Sequence, residues 1–138
     1  MADKLTAARR SENMRRVKGR NTKPELIVRR IVHGMGFRYR LHGKHLPGKP
    51  DLLFTSRRAV IFVHGCYWHQ HPGCSRATVP QSNVAFWTDK LARNQQRDAN
   101  QIRALKAAGW KPLVIWECET KNERRLALRL RRFLDSRK

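Results

Sequence analysis

The run Ala59-Val-Ile-Phe-Val63 is apolar at every position, and it leads directly into His64-Gly-Cys66 and a stretch to Pro80 rich in His, Cys, Gly and Pro. A strand apolar on both faces has to be covered on both faces, which makes it central in its sheet. The most buried strand therefore delivers the chain into a segment with no apolar periodicity and no hydrophobic means of holding its shape. A metal ion is the obvious substitute. Cys66-x4-His71-x2-Cys74, with Cys118 arriving just after a later strand that ends at Trp116, offers three thiolates and an imidazole, the mix that tetrahedral Zn²⁺ prefers. This set uses all three cysteines and has the closed shell of a structural site, expected to tie the loop to the far side of the sheet. The competing readings are cysteines buried as small hydrophobes, or a different fourth ligand such as His64 or His69.

Around that centre the pattern alternates. Thr22-Lys-Pro-Glu25 has the form of a capping box, with Glu25 placed to reach back to Thr22, and predicts a helix over 23–34. Gly34 and Gly36 end it. Phe37 to Leu41 alternates like a half-buried strand, and a turn-rich segment follows from His42 to Pro50. Asp51 to Phe54 and Ala59 to Val63 read as a strand hairpin. Phe86 to Ala108 reads as a helix stopped by Gly109, Lys111 to Trp116 as a strand, and about 122–134 as a last, basic helix. The order predicts an α/β sandwich around a mixed sheet.

The chain's 138 residues fit one domain with a single core, spanning 21–138. Lys plus Arg number 31 against 10 Asp plus Glu, a formal charge of +21, so a polyanion is the expected partner. Residues 1–20 are strongly basic and poor in apolar anchors, and read as an arm that clamps nucleic acid or as a solvated tail. A membrane is the weakest of the polyanionic partners, since no run approaches the length of a span. With no secretory signal at the N-terminus, a reducing cytoplasm is expected.

Hydrolysis of a phosphodiester needs oxygen ligands for a hard cation and a base for the attacking water. Asp51 opens a strand after a long loop and suits the first task. His64 or His69 suits the second, because imidazole titrates near neutrality. Each also has a plain structural reading: Asp51 as a strand-entry residue, Glu25 as the capping-box carboxylate, the histidines as polar loop residues.

At this point the motifs become distinctive. Ser11-Glu-Asn-Met-Arg15, Leu46-Pro-Gly-Lys-Pro-Asp51, Val60-Ile-Phe-Val-His-Gly-Cys-Tyr-Trp-His69, Phe86-Trp87, Gln96-Arg-Asp98 and Gly109-Trp-Lys-Pro-Leu-Val-Ile-Trp-Glu-Cys118 closely resemble, in order, the very-short-patch repair (Vsr) DNA mismatch endonucleases. The resemblance runs from about residue 6 to 135. It implies a restriction-endonuclease-like fold in which Asp51 and the Val63 carbonyl bind Mg²⁺ and His69 is the general base. Glu25 would orient that histidine or the waters around the cation, and His64 would assist at the phosphate. The zinc ligands it implies are Cys66, His71, Cys74 and Cys118. Tyr67, Trp68 and Trp87 would pry open the base stack from the major groove and Met14 from the minor groove, with Arg15 and Arg16 gripping phosphates.

The implied activity is nicking one strand 5′ of the mismatched T in a T:G mismatch, the product of 5-methylcytosine deamination, by a monomer that can cooperate with the MutL mismatch-repair factor. In a bacterial cytoplasm the enzyme would associate with the nucleoid during repair. This chain departs from the relatives at Val63, often Thr, at Tyr67, more often Phe, and in a spacer one residue longer between His71 and Cys74. An alternative function is a non-catalytic, zinc-dependent mismatch- or DNA-binding module. A ribosome-type RNA-binding protein would explain the charge but neither the cysteine set nor the HGCYWH stretch.

Overall fold

A computed structural model describes residues 22–67, 69–75, 77 and 82–135. The basic arm, with Met14, Arg15 and Arg16, lies outside the described residues, as does Trp68. Helix α1 (Lys23–Gly34) starts as its sequence dictates: the Thr22 hydroxyl accepts the Glu25 N–H at 3.3 Å and Pro24 fills the first turn. It ends through Gly36, whose φ of 89° lets the Phe37 N–H turn back to the Val32 carbonyl at 3.2 Å. Strands β1 (Arg40–Leu41), β2 (Leu52–Phe54) and β3 (Ala59–His64) follow, then α2 (Val84–Ala107), β4 (Lys111–Trp116) and α3 (Glu123–Asp135). Among the described residues no helix is long and apolar enough to cross a membrane.

The sheet is mixed, in the order β1-β2-β3-β4, antiparallel except for the parallel pair β3 and β4. β3 is central, as its apolar run requires. One face of the sheet packs Leu52, Phe54, Ala59, Ile61 and Ile115 against Val28 and Val32 of α1 and Leu126, Leu130 and Leu134 of α3. The other face packs Leu53, Val60 and Phe62 against Leu105 and Ile102 of α2. Each fully buried Val, Leu, Ile or Phe side chain among them contributes roughly 1.5–3 kcal/mol, and alternate residues of β3 divide between the two cores.

Two expectations need correcting. The strand expected from Phe37 to Leu41 forms only at Arg40–Leu41. In the observed register, with Arg40 opposite Leu53, the partners of Arg38 and Phe37 would be Thr55 and Ser56, and the chain there has already turned into a 3-10 turn. Pairing extends the other way instead: the His42 and Gly43 N–H groups reach the Asp51 and Pro50 carbonyls at 3.0 and 2.9 Å. The second correction concerns Cys118. β4 lies beside β3 and parallel to it, with Trp116 opposite His64, so Cys118 emerges at the same edge of the sheet as Cys66 and not on its far side.

Candidate active site

Topology gathers the chemistry at one edge. β2 runs antiparallel to β3, so its first residues meet the last residues of β3, while β3 and β4 end together. Asp51, Val63, His64 and the segment after Trp116 therefore converge. The carboxyl ends of parallel strands are where open α/β sheets usually place ligands.

Asp51 sits where β2 leaves the ladder. Pro50 has no N–H to donate. The Asp51 N–H reaches the Ile61 carbonyl at 3.0 Å, and its carboxylate Oδ2 accepts the Val63 N–H at 2.7 Å, standing in for a backbone carbonyl. The loop before it is pinned at Gly48, where a φ of 77° and the Phe62 ring 3.0 Å from any added Cβ leave room for glycine alone. Asp51 is only 7% exposed, and burial pushes its carboxyl up to about 7. The Val63 N–H opposes that shift, and a hydrogen bond and the charge of Glu25 reinforce it.

Glu25 is itself fully buried. Its carboxylate is engaged away from the helix cap: Oε2 takes an ion pair from Arg29 and a hydrogen bond from His42 Nε2 at 3.0 Å. Two buried carboxylates thus share a hydrogen bond at the sheet edge, backed by a guanidinium and an imidazole.

A second group lies one residue further along β3. The His64 and His69 rings stack with centroids 3.8 Å apart and planes within 8°. His69 Nδ1 donates to Asp98 Oδ2 of α2 at 2.6 Å. A neutral imidazole that donates through Nδ1 presents its lone pair at Nε2. His64 is buried against Phe62 and the edge of Trp116, and burial, with the His69 charge adding to it, lowers its pKa to about 4. The two groups are joined through the chain, since Val63 serves Asp51 and the next residue, His64, stacks on His69. They do not form one ligand set: the Asp98 grouping contains His64 and His69 without Asp51.

Asp98 belongs to the Gln96-Arg-Asp98 motif, yet sequence reasoning gives it no role. Its signal is positional. Leu91, Asp98, Ile102 and Leu105 follow the helical repeat of α2, so Asp98 is a carboxylate on the stripe that faces the sheet.

Beside this edge Cys66, His71, Cys74 and Cys118 have ligand atoms all within 4.8 Å of one another, a set able to hold a metal ion. His71 Nδ1 is 3.7 Å from Cys66 Sγ and 3.5 Å from Cys118 Sγ, and its ring stacks on Trp116 at 4.3 Å. Burial pushes the Cys66 thiol up to about 12, so only a cation would make it a thiolate at neutral pH. Trp87 belongs to neither core. It lies half-buried at the start of α2, edge-on to Phe86 at 5.4 Å and under the Lys90 ammonium at 5.4 Å, and Phe86 is 56% exposed. Tyr67 is half-buried in the Cys/His loop.

An α/β domain that gathers carboxylates and a carboxylate-held histidine at the edge of its sheet has the build of a hydrolase, and comparison gives the class: a DNA endonuclease. Residues 2–76 match the family described as DNA mismatch endonuclease Vsr. The chain is 46% identical to the type II nicking enzyme V.XorIIP of Xanthomonas oryzae pv. oryzae, over 98% of both chains. It is 39% identical to V.NmeAIP of Neisseria meningitidis, over 97% of this chain and 95% of that one. With the DNA mismatch endonuclease Vsr of Escherichia coli it shares 38% identity over 91% of this chain and 80% of the relative. This protein belongs to the Vsr DNA mismatch endonuclease family.

Proposed function

We propose that the chain nicks one strand of duplex DNA on the 5′ side of the mismatched T in a T:G mismatch, initiating very-short-patch repair. The observation that carries the reading is the 2.6 Å bond from His69 Nδ1 to Asp98 at the edge where buried Asp51 meets the end of β3. A protein that only binds DNA gains nothing from a histidine held in that way. The relatives named as nicking enzymes and as a mismatch endonuclease support the same reading.

Asp51 and the Val63 carbonyl would hold Mg²⁺. The donors fit: they are hard oxygens, and burial, reinforced by the neighbouring Glu25 carboxylate, raises the Asp51 pKa, so a divalent cation there would favour its charged form. When bound, Mg²⁺ supplies Lewis-acid stabilisation of the charge that builds on the scissile phosphate. His69 takes the proton of the attacking water at Nε2, and Asp98 fixes the ring and stabilises the imidazolium that results. Glu25, held by Arg29 and His42, orients water at the site, and His64 lends its ring to the phosphate side. Cys66, His71, Cys74 and Cys118 would hold a structural Zn²⁺, to which three thiols and an imidazole within one small shell are suited.

Mismatch recognition falls to stacking by Tyr67, Trp68 and Trp87 and to a wedge at Met14, with Arg15 and Arg16 on phosphates. A poorly stacked step is cheaper to open, and aromatic faces take the place of the neighbouring bases. We carry the restriction-endonuclease-like fold, the monomeric state, the cytoplasmic location and cooperation with MutL forward as parts of the same proposal. The test is a nicking assay with Mg²⁺ on duplexes carrying each mismatch in turn. Nicking confined to the T strand of T:G is expected, with Asp51→Ala abolishing it while mismatch binding persists. Equal cutting of matched and mismatched duplex, or loss of binding together with nicking in a folded Asp51→Ala, would refute the proposal.

A further inference from the structure

We propose that Gln70 is a positioning residue that ties the stacking ring of Tyr67 to the base His69, so that opening the mismatch and aligning the base become one event. That role rests on the proposed nicking and adds a specificity device to it. The segment between Cys66 and His71 closes as a single turn. The His71 N–H reaches the Cys66 carbonyl at 3.0 Å, and the Gln70 N–H reaches the Tyr67 carbonyl at 3.2 Å. This pair of bonds is the one that commonly ends a helix, with a left-handed residue, usually glycine, at its pivot. Here the pivot is Gln70, at a φ of 49°.

The side chain supplies what glycine at that position lacks. Gln70 Nε2 donates to the Tyr67 carbonyl at 2.7 Å, closer than the backbone N–H that shares the same oxygen. The Gln70 carbonyl in turn accepts Gln95 Nε2 of α2 at 3.3 Å. Asp98, which accepts the 2.6 Å bond from His69 Nδ1, lies three residues further along α2 and so on the same helix face. Two successive residues are thus pinned to one face of α2, His69 by its ring and Gln70 by its carbonyl. A side chain in the left-handed region costs stability, and such residues concentrate where function requires them.

The consequence is mechanical. His69 sits between a ring offered to the base stack and a carbonyl held by α2. With both Gln70 donors on its carbonyl, the Tyr67 peptide tilts only together with the His69 backbone, so the place Tyr67 takes in the DNA sets where His69 Nε2 points. A well-stacked step that stays closed keeps Tyr67 out and leaves the base off line. Misplacement by about 1 Å can cost on the order of a hundredfold in rate. Discrimination then arises at the chemical step as well as in binding.

The experiment compares the full-length protein with Gln70→Gly, which keeps the turn, because glycine takes that φ freely, and removes only the side-chain donor. Melting temperature and bound metal should stay near wild type, since the relieved backbone cost offsets the lost bond. Affinity for T:G duplex in Mg²⁺-free buffer should stay within about twofold, while single-turnover nicking with Mg²⁺ falls roughly tenfold. A purely structural residue would move melt, affinity and rate together. In a Tyr67→Ala background the same change should cost no more than about twofold, because no ring is left to transmit its position. An undiminished loss there, an equal loss of affinity and rate, or a wild-type rate in folded Gln70→Gly would each overturn the inference. Should Gln70→Gly melt early or lose metal, Gln95→Met on the exposed face of α2 decides alone. Roughly threefold slower nicking at unchanged affinity is then expected, and a wild-type rate overturns the inference. Wild-type protein that nicks no duplex removes the nuclease reading and this role together, whereas wild-type nicking of T:G with normal Gln70→Gly turnover removes this role alone.

Discussion

The Cys/His set and the carboxylate–histidine group lie side by side at one edge of the sheet, yet they are held by different means. Three of the four members of the first belong to a single irregular loop, and that loop has no apolar stripe of its own. The members of the second come from α1, the start of β2, the end of β3, the loop and α2, and most of those elements are anchored in a hydrophobic core. On the proposed reading the first depends on an ion for its shape, whereas the fold imposes the second. Metal at one should be a matter of stability, and at the other a matter of chemistry.

The largest expected effect tests that division directly. Stripping the Cys-bound ion, or making Cys66→Ser, should cost much of the roughly 10 kcal/mol that structural zinc can contribute to a small domain, read as a collapse of the melting temperature. Asp51→Asn should raise the melt in Mg²⁺-free buffer at neutral pH, because it removes a buried carboxylate beside another, and yet lower nicking by about a hundred- to a thousandfold or more. A metal-stripped protein with an unchanged melt would erase the contrast. So would an Asp51→Asn protein that melts early.

Within the carboxylate–histidine group, Asp98→Asn sharpens the comparison further. A side-chain amide at that position can donate to His69 Nδ1 and so trap the wrong tautomer, with the lone pair facing the amide instead of water. Single-turnover nicking should fall roughly 10²–10⁴-fold with mismatch affinity retained. An Asp98→Asn enzyme with normal turnover would remove His69 from the base role.

The same division governs what the sequence discloses. The Cys/His set is legible because three of its ligands are near neighbours with diagnostic spacing, and the fourth follows once Lys111 to Trp116 is read as a strand. The apolar run of β3 announces a central strand, and the periodicity of α1, α2 and α3 gives the two helical layers. The Asp98–His69 pair is not legible from spacing, since it depends on how α2 crosses the sheet; only a carboxylate on an otherwise apolar stripe hints at it. The Glu25 carboxylate misleads for a related reason. Capping-box spacing is a local rule, and here the half-buried Arg29 and His42 and the buried Asp51 outcompete it. The short β1 shows the same override, with turn geometry at Thr55–Arg57 cancelling an alternation that the residues themselves carry.

The smallest effect separates two neighbours inside the carboxylate–histidine group by sign. His64 has a folded pKa of about 4 against 6.5 for a free histidine, so between those values the unfolded chain binds a proton that the native protein refuses. Stability from this group rises with pH across that window. Asp51 is the reverse: its carboxyl keeps a proton up to about 7 in the folded state and loses it near 3.8 when unfolded, so its contribution falls as pH climbs from 3.8 to 7. Each amounts to about 3–4 kcal/mol across its window, and over the shared interval they oppose one another in the Mg²⁺-free protein. Urea melts of wild type, Asp51→Asn and His64→Asn from pH 4.5 to 6.5 should therefore diverge. Relative to wild type, the first variant gains stability as pH rises and the second loses it, and differencing against wild type removes the acid sensitivity that the Cys/His loop lends to all three. Parallel curves would mean that neither group is desolvated in the folded protein. Adding Mg²⁺ should flatten the Asp51-dependent difference alone, because a cation at that carboxylate restores its preference for the charged form, while the His64-dependent difference stays.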